Sequence, residues 1–101
     1  MHFRYFMNNI FEIIDKTGRK IHLSKERWGE HIKLEHPEVR EYEEIEKVLK
    51  NPGAMISSDR DDNVMWYFIY NKIRKRYLKV SVKYLNGTGY VITAHYTRKL
   101  Q

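Results

Sequence analysis

The sequence predicts an α+β domain in the order ββααββββ: an N-terminal hairpin, two helices packed on one face, and an antiparallel sheet of about four strands. Three observations predict it. Residues 10–24 hold two short apolar runs around a turn signal, residues 25–50 carry apolar side chains at helical spacing between start and stop residues, and everything from Ala54 onward falls into strand-length segments broken by Gly, Asn and Asp. At 101 residues the chain is long enough to bury one core and too short for two, so residues 1–101 are read as a single domain.

In IFEIIDKTGRKIHLS, Asp15-Lys16-Thr17-Gly18 is the turn of the opening hairpin. Ser24 then caps a helix from Lys25 to about His36, where Pro37 disfavours helical geometry at the residue before it. A second helix is expected from about Val39 to Lys50. It is acidic early (Glu41, Glu43, Glu44), basic late (Lys47, Lys50), and stopped by Asn51-Pro52-Gly53, an order that suits the helix dipole. Tyr42, Ile45, Val48 and Leu49 give it one apolar face. Four strand segments follow: AMISS, NVMWYFIYN, RYLKVSVKYL and GYVITAHYTRK. The second is apolar on both faces, as a central strand should be, and the third alternates.

Lys and Arg outnumber Asp and Glu by 19 to 13, a net charge of +6. Such a field attracts polyanions, and nucleic acid leads the list of partners, although charge of this size serves solubility equally well. Without cysteine there is neither a disulfide framework nor a thiolate nucleophile or metal ligand. The opening MHFRYFMNNIFEII lacks the apolar run and cleavage site of a signal peptide, and nowhere do eighteen apolar residues run together. The expectation is a soluble, cytoplasmic protein with no membrane partner.

Alternation places Leu78, Val80 and Val82 on one side of their strand and Tyr77, Lys79, Ser81 and Lys83 on the other. On the last strand Ile92 and Ala94 share a face, with Val91, Thr93, His95 and Thr97 opposite. If the helices cover the aliphatic side, the uncovered side carries lysines, hydroxyls and a histidine. The turn decides how the rows meet. A three-residue loop at Asn86 to Thr88 aligns the polar rows, whereas a two-residue Asn86-Gly87 turn sets Lys79 and Lys83 beside Tyr90, Ile92 and Ala94.

The first helix adds His31 and His36 in RWGEHIKLEHPEV. Trp28, Ile32 and His36 lie on the stripe expected to face the sheet, with His31 on its flank. Taken alone, His36 reads as a helix-end histidine favoured by the dipole, and His31 as a solvated surface residue. No HExxH, Cys/His array or Asp-x-Asp cluster is present, and Asp59, Asp61 and Asp62 sit in a turn, so neither metal nor cofactor is expected. Gly87 and Gly89 suit hairpin geometry and form no phosphate-cradling loop. Lys72, Arg74, Lys75 and Arg76 cluster in NKIRKR, and with Arg98 they are candidate phosphate contacts. A hairpin tip kept soluble by charge has the same appearance.

Read in order, W-x-x-H-I-x-x-x-H-P-E, a second helix ending in N-P-G, and strands ending in T-A-x-Y-T resemble the barnase, EndoU, colicin and RelE-like (BECR) ribonuclease superfamily. The likeness is to its phage and mobile-element branch, the PBECR domains, and it spans roughly Trp28 to Lys99. The resemblance implies helices on one face of an antiparallel sheet and, on the other, the site of a metal-independent endoribonuclease that cuts single-stranded RNA or tRNA to 2′,3′-cyclic phosphate ends. Many members act as toxins, which implies a cognate antitoxin or immunity protein as partner. The family site combines a helix histidine, a strand cation and a Ser, Thr or His near the last strand. It maps here to His31 and His36, to Lys79 and Lys83, and to Thr93 with His95. The position after T-A, associated with an aromatic residue, is His95 in this chain. A non-catalytic module that binds nucleic acid or protein through the same face, and a toxin with a protein target, are the alternatives.

Overall fold

The computed structural model describes residues 8–101. The first half of the opening segment MHFRYFMNNIFEII lies outside the described residues. Six strands, β1 (Asn9–Ile14), β2 (Lys20–Ser24), β3 (Ala54–Ser57), β4 (Val64–Asn71), β5 (Arg76–Leu85) and β6 (Thr88–Thr97), form one sheet in the order β1-β2-β6-β5-β4-β3. The α+β class holds, but the sheet is larger than the expected four strands. The hairpin β1/β2 joins the β3–β6 meander by a parallel pairing of Lys20 to His22 with Thr88 to Tyr90, which makes the sheet mixed. Among the described residues no helix is long and apolar enough to cross a membrane.

Ser24 Oγ accepts the Arg27 N–H at 3.0 Å and so starts the first helix, α1, over residues 25–35. Its middle, Arg27–Ile32, is π-wound, with α-helical residues only at Lys25 and Glu26 before it and in the last turn, Lys33–Glu35. The wider winding breaks the expected stripe. Trp28 packs edge-on against Tyr42 at 6.2 Å and Ile32 enters the core, but His36 leaves the helix at φ −134°. The second helix, α2 (Tyr42–Lys50), begins later than the expected Val39. Glu41 is extended, and the Glu44 carboxylate accepts the N–H groups of Arg40 and Glu41 at 3.1 and 3.0 Å, fixing the first turn at Tyr42.

The core lies between the helices and one face of the sheet. Ile21, Leu23, Tyr67, Leu78, Val80, Val82, Val91 and Ala94 from the strands close on Ile32, Val39, Ile45, Val48 and Leu49. Each such aliphatic contributes roughly 1.5–3 kcal/mol by leaving water. Asp15 seals one end. Its Oδ1 accepts from Thr17 N, Thr17 Oγ1 and Arg19 N at 2.8, 2.6 and 3.0 Å, and its Oδ2 accepts the phenols of Tyr67, at 2.9 Å, and Tyr84. Burial pushes this carboxyl up, but the hydrogen bonds outweigh it and hold it below the usual carboxylate range. The same burial raises the Tyr67 phenol to about 12.

Leu85 pairs with Thr88 across a two-residue turn, with Asn86 and Gly87 both at positive φ. That turn alone would set Lys79 opposite Ala94. Instead Val82 pairs with Val91 and Ser81 with Thr93, leaving Ile92 as the extra residue of a β-bulge. The bulge corrects the expected grouping of the last strand, because Val91 is buried with Ala94 on the core face while Thr93 and His95 point away from it.

Candidate functional site

On the face opposite the helices, β5 and β6 lay down four cross-strand rows: Lys83 with Tyr90, Ser81 with Thr93, Lys79 with His95, and Tyr77 with Thr97. Trp66, Phe68 and Tyr70 of β4 lie alongside. The rows are about 7 Å apart, two residues of strand rise.

One residue from the end of the first helical segment reaches this face. β2 pairs with β6 only as far as Tyr90, so the rest of that edge is open to α1, which packs against it. His36, just past α1, then comes round the edge, and its ring centroid lies 5.1 Å from that of His95, the planes 31° apart. Its backbone is fixed by donating to Ile32 O at 2.7 Å and accepting from Val39 N at 3.0 Å. Glu38 Oε2 is 3.7 Å from His36 Nδ1.

His95 is half-buried, and its Nδ1 is fully buried with no hydrogen-bond partner among the described residues. A protonated ring would there carry an unpaired buried charge. Burial first, then the neighbouring His36 and Lys79, hold the His95 pKa below the ordinary imidazole value, with Glu38 pulling the other way. Lys79 has its Nζ 3.8 Å from the centroid of the Trp66 ring and donates to the Gln101 carbonyl at 2.6 Å, and burial lowers its pKa too. Thr93 faces Ser81, which is only 8 % exposed. His36, His95, Lys79 and Thr93 thus share one small region.

The other candidates do not. His31 sits on the body of α1 with its Nε2 4.0 Å from Glu26. Lys83 is held by Asp61 at 3.0 Å, which raises the lysine's pKa, and the Asn63 N–H first and then Lys83 lower the aspartate's, so this member of the acidic turn is an ion-pair partner rather than a free carboxylate. In the β4–β5 tip, Arg74 Nη2 donates to the Glu38 carbonyl at 2.8 Å and its guanidinium lies 4.5 Å over the Tyr96 ring, so Arg74 is a strut under the loop that carries His36. Arg76 donates back to the Lys75 carbonyl at 3.0 Å. Lys72, Lys75 and Arg98 are exposed.

Sequence reasoning did not single out Trp66, Ser81 or Glu38. Glu38 stands in the quoted H-P-E and could have been found there. Trp66 lies in a strand apolar on both faces, where alternation carries no signal. Among the described residues no three His, Asp or Glu side chains are grouped to hold a metal. A pocket of about 130 Å³ between α2 and the sheet is lined by Glu44, Lys47, Tyr70, Asn71, Leu78 and Tyr96, and its Glu44 carboxylate is already taken by the Tyr96 hydroxyl at 2.5 Å. No family model matches the chain, and no curated protein or solved structure is significantly similar to it.

Proposed function

We propose that the chain is a metal-independent endoribonuclease of the BECR type, with His36 and His95 as its acid–base pair. The observation that carries this reading is the approach of the two imidazoles to 5.1 Å beside Lys79, on the sheet face opposite the helices. Two adjacent imidazoles in which one resists protonation divide the roles of base and acid. His95, kept neutral by burial and its cationic neighbours, removes the proton of a ribose 2′-hydroxyl. The 2′-oxygen bonds to phosphorus, the bond from phosphorus to the 5′-oxygen breaks, and His36, steadied by the Glu38 carboxylate, gives its proton to the departing oxygen. Lys79 and the Thr93 hydroxyl hold the charge that collects on the phosphorane. DNA, with no internal nucleophile, binds without being cut.

The test is incubation of the purified protein with a labelled single-stranded RNA in EDTA. The expected products end in 2′,3′-cyclic phosphate. Intact RNA with a folded protein, or cleavage abolished by the chelator, removes the proposal.

A further inference from the structure

The open face continues past the imidazoles toward the β4–β5 tip, and what lies there is aromatic and then cationic. One row beyond Lys79 and His95 stands Tyr77, its ring 5.1 Å from that of Tyr70 at 66°. Tyr70 is 49 % exposed, so its ring is open to a planar partner. Tyr77 is backed in turn by the fully buried Phe68, whose ring lies 6.3 Å from it, edge-on at 88°. The tip follows, with Lys72 and Lys75 exposed and Ile73 95 % exposed. Arg74 takes no part, being tied to Glu38.

We infer that Tyr70 and Tyr77 form a base-stacking subsite, and that a single-stranded RNA runs from the imidazole pair across these rings to phosphate contacts at Lys72 and Lys75. The inference rests on the ribonuclease reading for the identity of the strand. Its grounds are the order of groups along the face and their complementarity: rigid π surfaces for bases, then exposed ammonium groups for the backbone, on a chain of net charge +6. A duplex keeps its bases stacked inside and offers the tyrosines nothing, so the occupant is single-stranded. The extra nucleotide held here also orients the scissile phosphate one row away.

A fluorescein-labelled single-stranded DNA of a few nucleotides, which cannot be cleaved, is titrated by anisotropy with the full chain and its variants. Y70A and Y77A are expected to weaken binding roughly five- to a hundredfold each, while Y70F and Y77F bind like the parent. K72E/K75E weakens binding and flattens its salt dependence, and a duplex of the same sequence binds more weakly than the single strand. Tyr70 is exposed, so Y70A keeps its fold and decides the matter even if Y77A does not. Binding of Y70A equal to the parent's, equal affinity for the duplex, or no binding by the parent overturns the inference. If the DNA binds as expected but RNA is never cut, the subsite stands and the ribonuclease reading falls.

Discussion

Lys79 and His95 are cross-strand partners because β6 carries one residue more than a regular ladder allows, and Ile92 is that residue. The ammonium therefore faces an imidazole already short of solvent. With His36 and Glu38 it makes up the charged surroundings of His95. Replacing Lys79 by Met removes a like charge, and the His95 pKa is expected to rise toward 6.5, read from the ring proton shift in an NMR titration. Cleavage by a neutral base grows as pH rises through that pKa, so the acidic limb of the rate profile moves to higher pH in K79M. No movement of either would show that the two groups do not interact.

Stability follows from the same shift. The unfolded chain takes up a proton at His95 near the ordinary imidazole value, while the folded chain resists until lower pH. This group therefore makes the fold less stable as pH falls through about 6.5 toward the lower folded value. A His95→Gln variant lacks the effect, and its melting temperature is expected to drop less between pH 7 and pH 5 than that of the parent.

The three histidines are expected to separate cleanly in a cleavage assay. His36→Gln and His95→Gln each lose on the order of a hundred to ten thousand fold in rate. His31→Gln, whose side chain stands by Glu26 away from the pair, keeps the parent rate. A large loss at His31 with none at His36 would exchange their roles.

Arg74 and the lysines of the same tip are expected to behave differently. Losing Arg74 frees the Glu38 carbonyl and uncovers the Tyr96 ring, so R74A lets the His36 loop drift and lowers the cleavage rate roughly tenfold or more while the salt slope of binding stays as it was. K72E/K75E alters the slope. A flattened slope in R74A would return this residue to the phosphate-binding set.

How much of this could be read from the chain depended on whether the signal was local. Ser24, Gly18, the Asn86-Gly87 turn and the apolar face of α2 act on near neighbours, and their patterns were legible. The π winding of Arg27–Ile32 has no periodic signature, and it moved His36 off the stripe that α-helical spacing assigned it. The bulge at Ile92 was hidden for a similar reason. The turn was open between two and three residues and the strand was read as a regular ladder, because nothing in VITAH shows that one residue stands out of it, and the row at Lys79 depends on that residue. The parallel pairing of β2 with β6 joins segments remote in sequence and leaves no local trace at all. Ion pairs such as Lys83 with Asp61, and the hold of Arg74 on Glu38, likewise require the fold before they can be seen. Charge alone had made those cations look free.

The Asp15 cluster joins the β1–β2 turn to β4 and β5, and it supports a test of cooperativity. A Cβ at Gly89 would stand 2.9 Å from Cδ1 of Tyr84 and 3.0 Å from Val82 Cγ1, and Tyr84 cannot yield because Asp15 holds its hydroxyl and Arg19 lies 3.4 Å over its ring. Gly89→Ala is therefore expected to destabilise by roughly 1–3 kcal/mol. Asp15→Ala leaves the buried, mutually hydrogen-bonded phenols of Tyr67 and Tyr84 with one donor unsatisfied and frees the Thr17 and Arg19 N–H groups, and is expected to cost about 3 kcal/mol, a fall of more than about 10 °C in melting temperature for a domain of this size. The Asp15 carboxyl titrates below its ordinary 3.8, so its contribution is whole above that pH and is lost as pH falls through the lower folded value. The double variant decides whether the two sites communicate. With Asp15 gone the Tyr84 ring is free to swing, the added methyl finds room, and the combined loss is expected to be smaller than the sum of the single losses. Strict additivity, measured by urea unfolding at pH 7, would mean that Tyr84 is fixed by its core neighbours and not by the carboxylate.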